Sequence, residues 1–271
     1  MSLIYGVPEM AEEEVLEQIA FQAVQYLRLD DPKYKKADTL SKILVAAKDK
    51  PKEDEIVYIE ALESIIGENG SYKDLGDAKI VDKSWDTEGT QFNIKGFQAC
   101  AFEFNGEINV CFRGTPDGAW IDNGYGMAGG DYLIPYENAE QGVSNLGVSP
   151  MQHNALEYMQ SIVDKNEGKV INISGHSKGG NLSVYASVKC DRNIQKRIVK
   201  VYSNDGPGFS EEMIQSKEYQ RMLPKIKTIL PESSIVGMLL EHQEKFEVVK
   251  SSQSGIQQHD AMSWEVLGSH F

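Results

Sequence analysis

Hydrophobic positions in the first quarter of the chain recur at helical spacing. Val15, Ile19, Ala23, Tyr26 and Leu27 share one face between residues 9 and 29, the signature of an amphipathic helix. Pro32 and the charged stretch through Lys36 end it. Thr39 to Lys48 and Asp54 to Ile66 predict two further helices, separated around Pro51. Gly67 to Gly76, with three glycines and Asn69, reads as a connecting loop. Residues 1–76 therefore form a helical segment without candidate chemistry, expected to pack on the sheet that follows.

From Ala78 onward the period changes and strands alternate with helices. Ile80 to Asp82 is a short predicted strand. Phe97 to Phe104 and Ile108 to Phe112 flank Asn105-Gly106, the dipeptide of a type I′ hairpin turn. Pro150 to Asn166 is a helix with Leu156, Met159, Ile162 and Val163 on one face; Gly179 to Lys189 is another. Short apolar runs at Val170 to Ile173, Ile198 to Tyr202, Ile226 to Leu230 and Phe246 to Val249 read as buried strands, the last being the final one. A helical stretch starts at Ser210, and Val236 to Glu241 reads as a further short helix. Such alternation predicts an α/β fold: a mainly parallel sheet with one antiparallel hairpin, helices on both faces and a helical N-terminal segment.

At 271 residues with 41% hydrophobic content, the chain suits one domain over 1–271, with a core over 77–271 and the helical segment packed on it. A net charge of −14 argues against a nucleic-acid partner and against anionic membrane surfaces, and leaves a neutral substrate permitted. No apolar run is long enough for a transmembrane segment, and Met1 to Pro8 lack a secretory signal, so a cytoplasmic address is the expectation. Cys100, Cys111 and Cys190 match no metal spacing. Counting outward from Asn105-Gly106 puts Cys100 opposite Cys111, within disulfide reach; two buried thiols are the expected state in a reducing compartment.

Gly175-His176-Ser177-Lys178-Gly179 fits G-x-S-x-G between a predicted strand and a predicted helix. That is the setting of a nucleophile elbow, where a serine sits on a tight, strained turn and bulky neighbours would collide. The helix that follows turns its positive end toward the reacting oxygen. Ser177 is the candidate nucleophile; a serine in a packing or phosphate-binding turn is the plainer alternative.

A second motif adds to the first. Val110-Cys111-Phe112-Arg113-Gly114-Thr115, with Trp120-Ile121-Asp122 after it, resembles the segment of class 3 lipases in which a strand ends in F-R-G-[ST] and a tryptophan follows. Their G-H-S-L-G-G elbow is matched from Gly175 to Gly180, with Lys178 in place of leucine. The resemblance runs from about Phe97 to the C-terminus and is nearest to a bacterial branch of lipase-like hydrolases. It implies the α/β-hydrolase fold, and backbone N–H groups of Thr115 and Lys178 as the oxyanion hole. It also implies that Trp120 to Tyr136 corresponds to a lid; an ordinary surface loop remains the other reading.

The fold orders its triad serine, acid, histidine along the chain. His153 precedes the nucleophile, His176 lies inside the elbow as a packed residue, His242 falls at a helix end, and His270 sits next to the last residue. His259, in the polar Gln257-Gln258-His259-Asp260 loop, is the candidate base. For the acid, Asp205 follows the strand after the elbow helix, at the sheet edge where α/β folds carry functional loops. Class 3 lipases place their aspartate after the next strand, where this chain has Ser234-Ile235-Val236; Glu232, two residues earlier, is the alternative acid. Asp205 is preferred; Asp260 adjoins the histidine too closely to orient it. The expected activity is hydrolysis of a small-molecule ester or lipid through an acyl-enzyme, with no metal and no organic cofactor. A thioesterase, peptidase or acyltransferase with the same triad, or a non-catalytic binding module, are the rivals.

Overall fold

The computed structural model describes residues 12–86, 96–115 and 149–265. The stretch from Trp120 to Tyr136 and His270 lie outside them. The N-terminal segment forms α1 (Glu12–Tyr26), α2 (Leu40–Asp49) and α3 (Ile56–Ile66). Thr39 caps α2 by accepting from the Lys42 N–H.

Next come β1 (Lys79–Asp86), β2 (Phe97–Phe104) and β3 (Glu107–Phe112), then α4 (Pro150–Lys165), opened by a Ser149/Gln152 capping box. The chain continues through β4 (Ile171–His176), α5 (Lys178–Lys189), α6 (Arg192–Arg197) and β5 (Ile198–Asn204). It ends with α7 (Glu211–Gln215), α8 (Lys217–Met222), β6 (Ile226–Pro231), β7 (Lys245–Ser251) and β8 (Trp264–Glu265).

The strands lie in chain order across the sheet. β1, β2 and β3 are antiparallel, β3 through β7 are parallel, and β8 returns antiparallel to β7. Side chains of the central strands alternate between two cores. Ala99, Ala101, Val110 and Phe112 face the core completed by Met159 of α4 and Leu182 of α5. Cys100, Phe102 and Cys111 face the core built from α1, α2 and α3. The helical segment thus covers the face of β2 and β3 that carries Cys100, Phe102 and Cys111, which would otherwise expose those apolar positions to water.

Several local expectations are met, and several are corrected. Asn105 and Gly106 both have positive φ (51° and 80°), as a type I′ turn requires, and the resulting register sets Cys100 opposite Cys111. Both thiols are free and buried, and burial raises the Cys111 thiol to about 12. The strand expected at Ile80 to Asp82 extends over the whole of β1, because pairing with β2 continues through Lys83, Ser84 and Trp85 to Asp86, where the apolar pattern has already lapsed. The helix expected at Val236 to Glu241 is only a 3-10 turn at Val236–Met238; Leu240 then takes φ 64° and Glu241 bridges back to Phe209. His242 consequently stands at no helix end. Phe246 to Val249 is not the final strand, since β8 pairs beyond it.

Candidate active site

Because β4, β5 and β6 run parallel and in register, their carboxyl ends meet at one edge: His176 pairs with Asn204, and Asn204 with Ile229. The residues just past those ends are gathered there. Ser177 leaves β4 at φ 57° and ψ −129° and enters α5 one residue later. Its N–H donates to the Asn204 carbonyl at 2.9 Å, and its carbonyl accepts from the Gly180 N–H at 2.9 Å. The flanking glycines have a steric cause: a Cβ at Gly175 would lie 2.2 Å from the Gly179 carbonyl oxygen, and one at Gly179 would lie 2.2 Å from that of Phe112.

The F-R-G-T segment comes to the same place. A Cβ on Gly114 would stand 3.1 Å from the Ser177 Cβ, so the end of β3 abuts the elbow. Thr115 follows it, half-buried. Lys178 is buried as the first residue of α5, where backbone N–H groups form the positive end of the helix. Arg113 bonds Gln98 and lies over the Tyr26 ring, 5.1 Å from its centroid.

His259, at the end of a 3-10 turn (Gly255–His259), directs Nδ1 at Asp205 Oδ2, 2.6 Å away. Asp205 is fully buried at φ 49°. Its other oxygen accepts from the Ser234 hydroxyl and from the Gly237 N–H at 3.1 Å. Glu232 is exposed and is not the residue His259 meets. Ser234, where the resemblance implied an acid, donates to the Asp205 carboxylate.

His176 is packed as expected, but its bonding partners, among them Tyr26, were not legible in the sequence. The His176 ring is buried, with Nε2 2.6 Å from the His259 carbonyl oxygen and Nδ1 2.7 Å from the Tyr26 hydroxyl. The two imidazoles lie 4.7 Å apart, tilted by 34°. Burial, and then the neighbouring His259 charge, bring His176 down to about 4, so it stays neutral near pH 7. Tyr26 arrives from α1, 150 positions earlier. No motif could have announced it, since in the sequence it is one more apolar position of a helix. His242, by contrast, lies away from the edge on Glu244, at 2.7 Å, and His153 pairs with Glu157 on α4.

Sequence comparison places this arrangement in a family, since the sequence model of the Mbeg1-like family matches residues 133–271, half of the chain. The chain belongs to the Mbeg1-like family. No curated protein matches it in sequence. In three dimensions this Mbeg1-like chain is similar to a deletion mutant of Rhizomucor miehei lipase in complex with its propeptide. The TM-score is 0.54 at 12% identity, covering 94% of this chain and 80% of that one. A fungal lipase–inhibitor complex gives 0.51 at 14% identity, with 88% and 80% covered. A lipase from Rhizopus microsporus var. chinensis gives 0.50 at 14%, with 89% and 73% covered. At such identities the likeness is one of fold. The Mbeg1-like chain has the α/β-hydrolase fold of lipases, and among its described residues no helix is long and apolar enough to cross a membrane.

Proposed function

We propose that this Mbeg1-like protein is a serine hydrolase that cleaves carboxylic esters, small-molecule or lipid, through an acyl-enzyme. The observation that carries the reading is the 2.6 Å contact of His259 Nδ1 with buried Asp205, at the sheet edge where Ser177 occupies a strained elbow. In the proposed reaction Ser177 Oγ attacks the ester carbonyl while His259 Nε2 takes its proton. Asp205 holds the proton on Nδ1 and stabilises the imidazolium as it forms. Backbone N–H groups of Thr115 and Lys178 receive the developing oxyanion, each such donor being worth about 2.7–4 kcal/mol in the transition state. The leaving alcohol collects the proton from His259, and a water activated by the same imidazole then releases the acid. The fold shared with lipases supports an ester in preference to the other acyl compounds open to such a triad, and Glu232 has no part.

Labelling with a fluorophosphonate probe tests this directly. The unaltered protein should react, and Ser177→Ala should not. His259→Ala and Asp205→Asn should each slow labelling on the order of 10³-fold or more, while Glu232→Gln leaves it intact. An unaltered protein that resists the probe would overturn the proposal; for one that labels, a panel of esters, thioesters and amides sorts the leaving group.

A further inference from the structure

The N-terminal helical segment was without chemistry in the sequence, yet α1 sends one side chain into the site. Tyr26 is its last residue. The Tyr26 hydroxyl packs closely against Gly114, whose backbone N–H acts on it electrostatically, and lies 2.7 Å from His176 Nδ1. His176 Nε2 in turn lies 2.6 Å from the carbonyl oxygen of His259.

The chemistry of the end group fixes the direction of every proton in this chain. A carbonyl oxygen can only accept, so His176 Nε2 carries the hydrogen. In a neutral imidazole Nδ1 is then the acceptor, and the Tyr26 hydroxyl donates to it. The bonds run one way: Tyr26 O–H to His176 Nδ1, then His176 Nε2–H to the His259 carbonyl, with Gly114 packed against the tyrosine oxygen.

Those groups belong to the three pieces that must stay in register. Gly114 precedes Thr115, His176 precedes Ser177, and the carbonyl is that of His259 itself. We infer that Tyr26 and His176 are positioning residues, which hold the elbow and the histidine loop together through one directional hydrogen-bond chain, with the F-R-G-T segment packed against its tyrosine end. The inference deepens the hydrolase reading and rests on it, but the bonds themselves can be examined without catalysis.

A consequence separates positioning from mere support. Around the two imidazoles stand Asp205 on His259, and Tyr26 on His176 with Tyr58 stacked on it at 5.1 Å; the Arg113 guanidinium covers Tyr26, and the Asp260 charge acts on both tyrosines. Trp264 meets the His176 ring edge-on and adds no charge. In this setting a neutral His176 is compatible with an imidazolium at His259, 4.7 Å away; a protonated one would oppose it. The hydroxyl of Tyr26 favours the neutral form by donating to Nδ1. Removing it lets His176 gain a proton at a pH where it was neutral before.

The test uses Tyr26→Phe, His176→Gln and His176→Leu. Histidine ring-nitrogen NMR of the unaltered protein should show His176 as the neutral tautomer with hydrogen on Nε2, unchanged down to about pH 5. In Tyr26→Phe, His176 should titrate at higher pH, and the acid limb of the Ser177 labelling profile should move up by about one pH unit. The glutamine amide can donate where Nε2–H did, so His176→Gln should label within about threefold of the unaltered rate, and His176→Leu at least about tenfold more slowly. Hydrogen on Nδ1 of His176 would overturn the inference. So would a Tyr26→Phe profile lowered equally at every pH, or His176→Gln as slow as His176→Leu. If the unaltered protein does not label at all, the hydrolase reading fails, and the NMR tautomer and its response to Tyr26→Phe decide the inference by themselves.

Discussion

Ser177 carries the least comfortable backbone in the site. At φ 57° and ψ −129° it occupies a region that side chains with a Cβ enter at a cost of about 1–3 kcal/mol. Glycine meets no such penalty there, although it loses about 0.5–1 kcal/mol more chain entropy on folding. Comparison of Ser177→Gly with Ser177→Ala, both lacking the hydroxyl, isolates the strain. The glycine variant should unfold in urea with about 1 kcal/mol greater stability. Equal stabilities would mean that the elbow stores nothing. The G-x-S-x-G spacing made this residue legible, because the steric demand of the turn is written into Gly175 and Gly179. Asp205 was legible only as one of two candidates. Its rival Glu232 lies near the end of the neighbouring strand, and deciding between them required the partner of His259 Nδ1. Ser234 and Gly237, which complete the bonding of the Asp205 carboxylate, were invisible as functional groups because a donor to a carboxylate can be almost any polar atom.

At the scale of elements, α1 departs most from its sequence pattern. Its apolar spacing predicts an amphipathic helix with a solvated face, yet Gln18, Gln22 and Gln25 are as buried as Phe21 and Val24. The helix is enclosed by the sheet, by α3 and by the turn at Ala261–Ser263. Its lower end is tied by Glu14, which meets Lys200 and Lys227 of β5 and β6, and its upper end by Tyr26. Phe21 is the central anchor, fully buried and stacked on Phe102 at 4.7 Å between centroids. Phe21→Ala should therefore lower the unfolding free energy by about 3–5 kcal/mol, read from chemical denaturation. A loss below 1 kcal/mol would show that the helix is peripheral to the fold. The same enclosure explains why the sequence assigned the N-terminal segment no role: a helix's own pattern reports that it packs, and not what its last residue reaches.

For the whole molecule, a buried charge pair ties stability to pH. Glu244 accepts from Tyr219 of α8 at 2.7 Å and from Thr228 of β6 at 2.8 Å, and bonds His242 at 2.7 Å. Burial alone would raise the Glu244 carboxyl; the bonds and charge of His242 and the Tyr219 hydroxyl outweigh it and bring the group to about 2. Burial likewise opposes the charge on His242, yet Glu244 raises its pKa above 6.5. A depressed carboxyl stabilises fully above its unfolded value of 4.5 and loses that contribution as pH falls toward 2. A raised imidazole stabilises fully below 6.5 and loses its contribution as pH rises through the folded value. The pair is therefore worth most between pH 4.5 and 6.5. His242→Gln should destabilise the protein more at pH 5.5 than at pH 9, measured by thermal unfolding at both. A pH-independent difference would show that the pair contributes only its shape.

Period and turn chemistry along the chain were enough to determine the helical N-terminal segment and the alternation of strands and helices that follows it, the Asn105-Gly106 hairpin with its opposed cysteines, and the strand–turn–helix frame around Ser177. These depend on interactions within a few residues, or on which face of one element is apolar, and both are written locally. Tertiary structure decided which carboxylate met His259, that Val236 to Glu241 would turn rather than coil, that β1 would run long and β8 would close the edge, and that Tyr26 would reach His176. The meetings at His259 and His176 are set by parallel strands ending at a common edge, and the extents of β1 and β8 by antiparallel pairing with β2 and β7; no local pattern encodes either.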